Sequence, residues 1–307
     1  MKRFALALAL ATGLATTASA ATFGPLVDAV ELSASLETAE PVLLDIRNAG
    51  YEKEHADGAL FAPYRMFRGP AENPGALVDM VKLEAELEEL GLEQDTSIVI
   101  LSAGETDTDF GSAARVYWTL KSTGFTDLSI LNGGLAAWKA AGLPVNATPE
   151  SAFPSDLDLT FDPTWLATTA DVAAVAAGEA DAVLVDARPS AFFNGEKAHE
   201  AAARPGTVPT AINHAYTSFF KKGSPAMSTV IDADGLKATL NVKEGETTVS
   251  FCNTGHWAAA HWFAVSEVAG VPNAKLYAGS MVEFSNSGYD MANTPSLVQN
   301  LINQIIN

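Results

Sequence analysis

The chain has 307 residues, 18 Lys plus Arg against 37 Asp plus Glu, and a formal net charge of −19. A surface this acidic excludes nucleic acid and anionic lipid as partners, and any small anion that binds must meet a local cluster of cations or N–H groups. Cysteine occurs once, at Cys252, so no internal disulfide can form.

Lys2 and Arg3 open the chain, Phe4 to Ala15 is mostly Ala and Leu, and Ala18-Ser19-Ala20 supplies small residues. This pattern predicts a secretory signal over residues 1–20, cut before Ala21. The apolar run is too short to cross a bilayer comfortably, and no later stretch approaches that length. The expectation is an exported protein, periplasmic or otherwise outside the cytoplasm, soluble and without a stable membrane anchor.

The remaining chain reads as one plan stated twice. Val42-Leu43-Leu44-Asp45-Ile46-Arg47 is a short apolar strand ending in Asp-x-Arg, and Val183-Leu184-Val185-Asp186-Ala187-Arg188 repeats it. Such runs, without polar alternation, predict buried parallel strands. Thr96 to Ser102 predicts a second strand and Gly111 to Lys121 a helix, and Ile130 to Trp138 closes the first half. In the second half the counterparts are a strand over Thr247 to Cys252, a helix over Ala258 to Val268 and a closing segment from Leu276 to Phe284. Strand, loop, helix, strand is the βαβ pattern. Pro144, Pro149, Pro154 and Pro163 punctuate an extended connector. The predicted organisation is α/β, with a first domain at 21–148, a linker at 149–162 and a second domain at 163–307. Each domain is a mainly parallel sheet flanked by helices.

Cys252 ends its strand just before a predicted helix. A thiol there faces backbone N–H groups that lack helical partners, a setting that favours the thiolate. Three fates are open to a lone cysteine in an exported chain: a buried inert thiol, a bond to another chain, or chemistry. Gly255 suits a tight turn in the following loop. His256 either carries charge near neutral pH and draws in an anion, or points outward. Trp257 either walls a pocket or packs with Trp262. Arg188 offers a guanidinium fork for an oxyanion or an internal ion pair, and its repetition as Arg47 favours the structural role. Lys197, Arg204, Lys221, Lys222, His199, His214 and His261 are scattered. No metal-ligand spacing and no Gly-rich phosphate loop is present, so neither metal nor cofactor is expected. A cysteine-phosphatase loop is excluded because Ala258 stands where that chemistry needs an arginine.

The ordered set Asp186-Ala187-Arg188, Pro205 to Asn213, Cys252 to Ala258, His261-Trp262-Phe263 and Tyr277-Ala278-Gly279-Ser280 with Glu283 resembles the tandem-domain rhodanese family of sulfurtransferases. Asp45-Ile46-Arg47 and Leu131 to Gly134 with Trp138 extend the resemblance to the first half. It implies Cys252 as the nucleophile of a six-residue active loop, Cys252 to Trp257. The substrate contacts it implies are Asn253, Thr254, Gly255, His256, Trp257, Ala258 and Arg188. Ser102 stands at the matching position of the first domain, which is therefore expected to be structural. The implied reaction moves a sulfane sulfur from thiosulfate, a small anionic donor, to cyanide or a thiol acceptor through a cysteine persulfide. The alternatives are 3-mercaptopyruvate as donor, or a non-catalytic sulfur carrier. Thiosulfate-type relatives often carry basic residues in the loop and mercaptopyruvate-type relatives small ones. Asn253-Thr254-Gly255-His256-Trp257 follows neither pattern.

Overall fold

The computed structural model describes residues 22–296. The expected export signal lies outside the described residues. The first half contains β1 (Leu26–Val27), α1 (Ala29–Ala39), β2 (Val42–Asp45), β3 (His55–Ala56), β4 (Leu60–Phe61), α2 (Met80–Glu89), β5 (Ile98–Leu101), α3 (Asp107–Ser122), β6 (Leu128–Leu131), α4 (Gly134–Ala140) and β7 (Val145–Asn146). The second half contains α5 (Thr169–Ala176), β8 (Val183–Asp186), α6 (Ser190–Phe193), β9 (Ile212–Asn213), α7 (Ala233–Leu240), β10 (Thr248–Phe251), α8 (Trp257–Phe263), β11 (Ala274–Leu276) and α9 (Ser280–Asn286). Residues 147–162 form neither helix nor strand.

Each half builds one parallel sheet. The first has strand order β1-β6-β5-β2-β4 and the second β11-β10-β8-β9, with a parallel bridge from Leu166 to Leu276 at the edge corresponding to β1. The register is duplicated too: Asp45 lies opposite Leu101, and Asp186 lies opposite Phe251. Every residue of β5, β6 and β10 is buried; β5 is apolar throughout, as a strand covered on both faces requires, while β6 and β10 also bury Ser129, Thr248 and Ser250. The two Asp-x-Arg signatures form the same brace. Arg47 and Arg188 each donate through Nε and Nη2 to the aspartate two residues earlier.

Two expected elements differ in extent. The first-half helix starts four residues earlier than the apolar pattern predicts, because Thr106 and Asp109 form a reciprocal capping box ahead of it. The second-half helix ends at Phe263 and passes into a π-helical turn, Ala264–Val268. That turn sets Glu267 where its carboxylate accepts from Tyr117 Oη and Lys121 Nζ of the first half, each at 2.9 Å.

α3 lies directly on α8, and the two halves share one apolar core. Phe263 is fully buried, with ring centroids 5.5 Å from Phe110 and 4.9 Å from Tyr117. An interface this apolar behaves like a domain interior, so the cleft above it has fixed walls. Phe263→Ala is expected to destabilise the chain by about 3–5 kcal/mol, the usual range for deleting a buried aromatic ring. Chemical denaturation of the two proteins measures this directly.

Candidate active site

β10 delivers Cys252 to the carboxyl end of the central strand of its sheet, where ligands gather in open α/β folds. Cys252 is 1% exposed and forms part of the wall of a cleft of about 280 Å³. The following loop is clamped onto the first turn of α9. Met281 N donates to Cys252 O at 3.0 Å and Val282 N to Asn253 O at 3.0 Å. Ser280 Oγ accepts from Cys252 N at 3.0 Å and from Gly255 N at 3.1 Å, and donates to Tyr277 O at 2.8 Å. Ser280 sits at φ +53°, where the first half has Gly134 at +57°. A side chain in this left-handed region costs roughly 1–2 kcal/mol, and the three hydrogen bonds offset it.

Not every amide of the loop is free to face the thiol. Two of them, Cys252 N and Gly255 N, are committed to Ser280. The N–H groups of Asn253, Thr254, His256, Trp257 and Ala258 make no hydrogen bond within the described chain. They leave an amide-rich loop suited to negative charge. Gly255 has φ +69°, and a Cβ there would collide with the Ala278 carbonyl oxygen and lie 2.5 Å from Arg115 Nη1. Glycine is therefore required at this turn.

Arg188 is a second correction. It is 2% exposed and does not line the cleft. Nε and Nη2 bind Asp186, Nη2 also donates to Gly206 O at 2.7 Å, and Nη1 donates to Asn253 Oδ1 at 3.2 Å. The aspartate two residues before it captures the fork, so Arg188 holds the active loop through Asn253 and offers nothing to a ligand. Ala258 is fully buried in the first turn of α8, so only its N–H can contribute. Asn253, Thr254, His256 and Trp257 do line the cleft.

His256 fits neither of the two readings left open for it, a charged anion-drawing side chain or one pointing outward. Its Nδ1 accepts from Tyr64 Oη at 2.9 Å, and its Nε2 donates to Thr108 O at 2.8 Å. These partners belong to the first half, so His256 is a bridge between domains. Burial, and then the charge of Arg68, push it down to about 4, with the Thr108 carbonyl and Asp109 opposing. At neutral pH it is uncharged. Gly111 makes room for it, because a Cβ there would lie 2.8 Å from His256 Nε2. Trp257 Nε1 donates to Thr108 Oγ1 at 2.7 Å, and its ring stacks on Tyr216 at 5.3 Å rather than on Trp262.

The cations beside this loop that lack a carboxylate partner come from the first half, which the sequence reading treats as structural. Arg68 lines the cleft, donates through Nη2 to Thr254 O at 2.8 Å, and has a buried Nη1 with no acceptor. Arg115 is 1% exposed and donates through Nη2 to Gly75 O and Ala76 O. Its Nε and Nη1 have no acceptor. Burial, and then Arg68, pull it down to about 9, while Tyr64 and Cys252 act in the opposite direction; it stays charged at neutral pH. One signal in the sequence could have pointed to Arg115. It interrupts the apolar run Ala113-Ala114-Arg115-Val116-Tyr117-Trp118, and buried charge is rare without a partner. Thr108 and Tyr64 also surround the site without having been singled out, and of the scattered basic residues His199 lines the cleft.

A larger cleft, about 830 Å³, lies at the matching strand ends of the first half beside Ser102. It shares His256 and Thr108 with the first cleft but holds no thiol. There Asp109 accepts from Glu105 N and Thr106 N, each at 2.9 Å. The chain's own carboxylate thus satisfies the amides ahead of α3.

Residues 28–141 and 169–287 each match the rhodanese-like domain. The thiosulfate sulfurtransferase of Azotobacter vinelandii is 30% identical over 264 residues, spanning 85% of this chain and 93% of that protein. The 3-mercaptopyruvate sulfurtransferase of Escherichia coli K12 is 30% identical over 199 residues, spanning 64% of this chain and 68% of that protein. The crystal structure of SseA from Escherichia coli superimposes with a TM-score of 0.71 at 26% identity, covering 84% of this chain and 98% of that one.

The histidines make stability fall on acidification. His256 is held at about 4 against an ordinary 6.5, and His261 and His214 are also lowered, both chiefly by burial. Below the ordinary value the unfolded chain binds more protons, so stability present above pH 6.5 declines as pH falls toward about 4. Urea midpoints across that window are expected to drop, and His256→Gln is expected to flatten part of the slope.

Proposed function

The chain belongs to the rhodanese-like family in its two-domain form, and on that premise we propose that it is a sulfurtransferase working through a persulfide on Cys252. The observation that carries this reading is the placement of the one thiol at a central strand end, in a cleft with free loop amides and Arg68. With thiosulfate, the Cys252 thiolate attacks the outer sulfur. A new bond forms between Sγ and that sulfur, the sulfur–sulfur bond of the donor breaks, and its electron pair leaves with sulfite. Cyanide or a thiolate acceptor then attacks the outer persulfide sulfur, and the thiolate of Cys252 returns. No proton need move in the first step, which fits a site whose one cleft histidine from the active loop is fixed in its neutral form.

Thiosulfate is the proposed donor. The 3-mercaptopyruvate reading stands beside it because a relative of that name reaches the same 30% identity. In that case the donor's sulfur passes to Cys252 and pyruvate departs, the thiol hydrogen ending on carbon. A non-catalytic sulfur carrier would load Cys252 without turnover. The start of the chain supports export, with cleavage before Ala21 and domains at 21–148 and 163–307 joined by 149–162. Among the described residues no helix is long and apolar enough to cross a membrane.

Purified protein supplied with thiosulfate and cyanide is expected to form thiocyanate, and mass spectrometry is expected to find one added sulfur on Cys252. Cys252→Ser is expected to lose turnover by a factor on the order of 10³ or more, because a hydroxyl cannot carry the sulfur. Turnover at the wild-type rate in that variant would refute the assignment. Comparing kcat/KM for thiosulfate and 3-mercaptopyruvate decides the donor. Loading without turnover on either would favour the carrier.

A further inference from the structure

Arg68 and Arg115 are charges without a counter-charge. Several other buried or half-buried cations have carboxylate partners: Arg47 has Asp45, Arg188 has Asp186, and Lys121 has Glu267. The chain carries 37 acidic residues, yet among the described residues none forms an ion pair with Arg68 or Arg115. Moving a guanidinium out of water is costly, and leaving its N–H groups without acceptors adds to that cost. The two also repel, since Arg68 is among the causes that pull Arg115 down. Such an arrangement is sustained where an anion completes it.

Both guanidinium groups converge on the Cys252 loop. Arg68 is tied to Thr254 O and keeps Nη1 without an acceptor on the cleft side chain that it contributes. Arg115 lies behind the loop, close enough to Gly255 that any side chain there would strike Nη1. The active loop itself, from Cys252 to Ala258, supplies no Lys or Arg, and its histidine is neutral. Arg188, the remaining arginine beside the loop, is neutralised by Asp186.

We propose that the first domain supplies the anion subsite of the second. Arg68 takes the charged oxyanion end of a small sulfur donor while its sulfane sulfur meets Cys252. Arg115 is a positioning residue that holds the loop and balances the negative charge left on Cys252. The subsite rests on the sulfurtransferase reading for its substrate, a small donor bearing a sulfonate-type or carboxylate group. Its existence is testable without turnover.

The test uses the full chain and two alkylating reagents of similar size, anionic iodoacetate and neutral iodoacetamide. Relative to a free thiol, Cys252 of the wild type is expected to favour iodoacetate. Arg68→Met is expected to slow iodoacetate about tenfold or more, as local charge steering allows, while iodoacetamide changes by less than about twofold. Arg68→Lys, which keeps the charge, is expected to restore much of the preference. In turnover assays Arg68→Met is expected to raise KM for thiosulfate with kcat nearly kept. Arg115→Lys and Arg115→Met are compared by iodoacetamide pH–rate profiles, and only the Met variant is expected to move the profile to higher pH. Equal slowing of both reagents in Arg68→Met, or an unchanged iodoacetate rate, would overturn the subsite. If the iodoacetate preference depends on Arg68 but no donor loads Cys252, the subsite stands and the sulfurtransferase reading falls.

Discussion

The contact between α3 and α8 is the constraint on which the rest depends. It presses an apolar face of each half into one core around Phe110, Tyr117, Trp262 and Phe263. Because α8 begins where the Cys252 loop ends, fixing α8 fixes the loop. Because α3 carries Thr108 and Arg115, the same contact brings first-half polar groups to within hydrogen-bond range of that loop or directly behind it. The cleft is a product of this packing, and neither half encloses it alone.

The two halves show how one scaffold supports opposite electrostatics at the same place. In the first, Asp109 turns back onto the amides ahead of α3 and satisfies them. In the second, no carboxylate does so, and Ser280 replaces the left-handed glycine to clamp the loop by its hydroxyl instead. A neutral clamp holds the backbone without cancelling its capacity for negative charge. The first half satisfies its own amides, yet it brings Arg68, Arg115, Tyr64 and Thr108 against its neighbour's loop. This matters in a chain of net charge −19, where a donor anion is repelled by the surface as a whole and is attracted only where local cations stand uncompensated.

Much of the site was legible along the chain. The paired Asp-x-Arg strand ends announced the duplication, the single cysteine was placed at a strand end, where it lines the cleft, and Gly255 marked a turn that no other residue fits. The full roles of His256 and Arg188 were out of reach of the sequence for a common reason. Each is a polar group whose role depends on what faces it. Asp186 was visible two residues from Arg188, but only burial shows that all three nitrogen groups of its fork are engaged within the fold. For His256 the sequence left a charged side chain and an outward one open, because its partners, Tyr64 and Thr108, belong to a distant part of the chain.

The chain by itself determined the two parallel sheets, their duplicated register and the position of the thiol. These follow from short-range properties: uninterrupted apolar runs, a repeated strand end, and a cysteine placed just before a helix. Only the tertiary structure decided which charges surround that thiol. Charge compensation is a sum over neighbours in space, and the neighbours that set it, Arg68 and Arg115, reach Cys252 only after α3 has packed against α8.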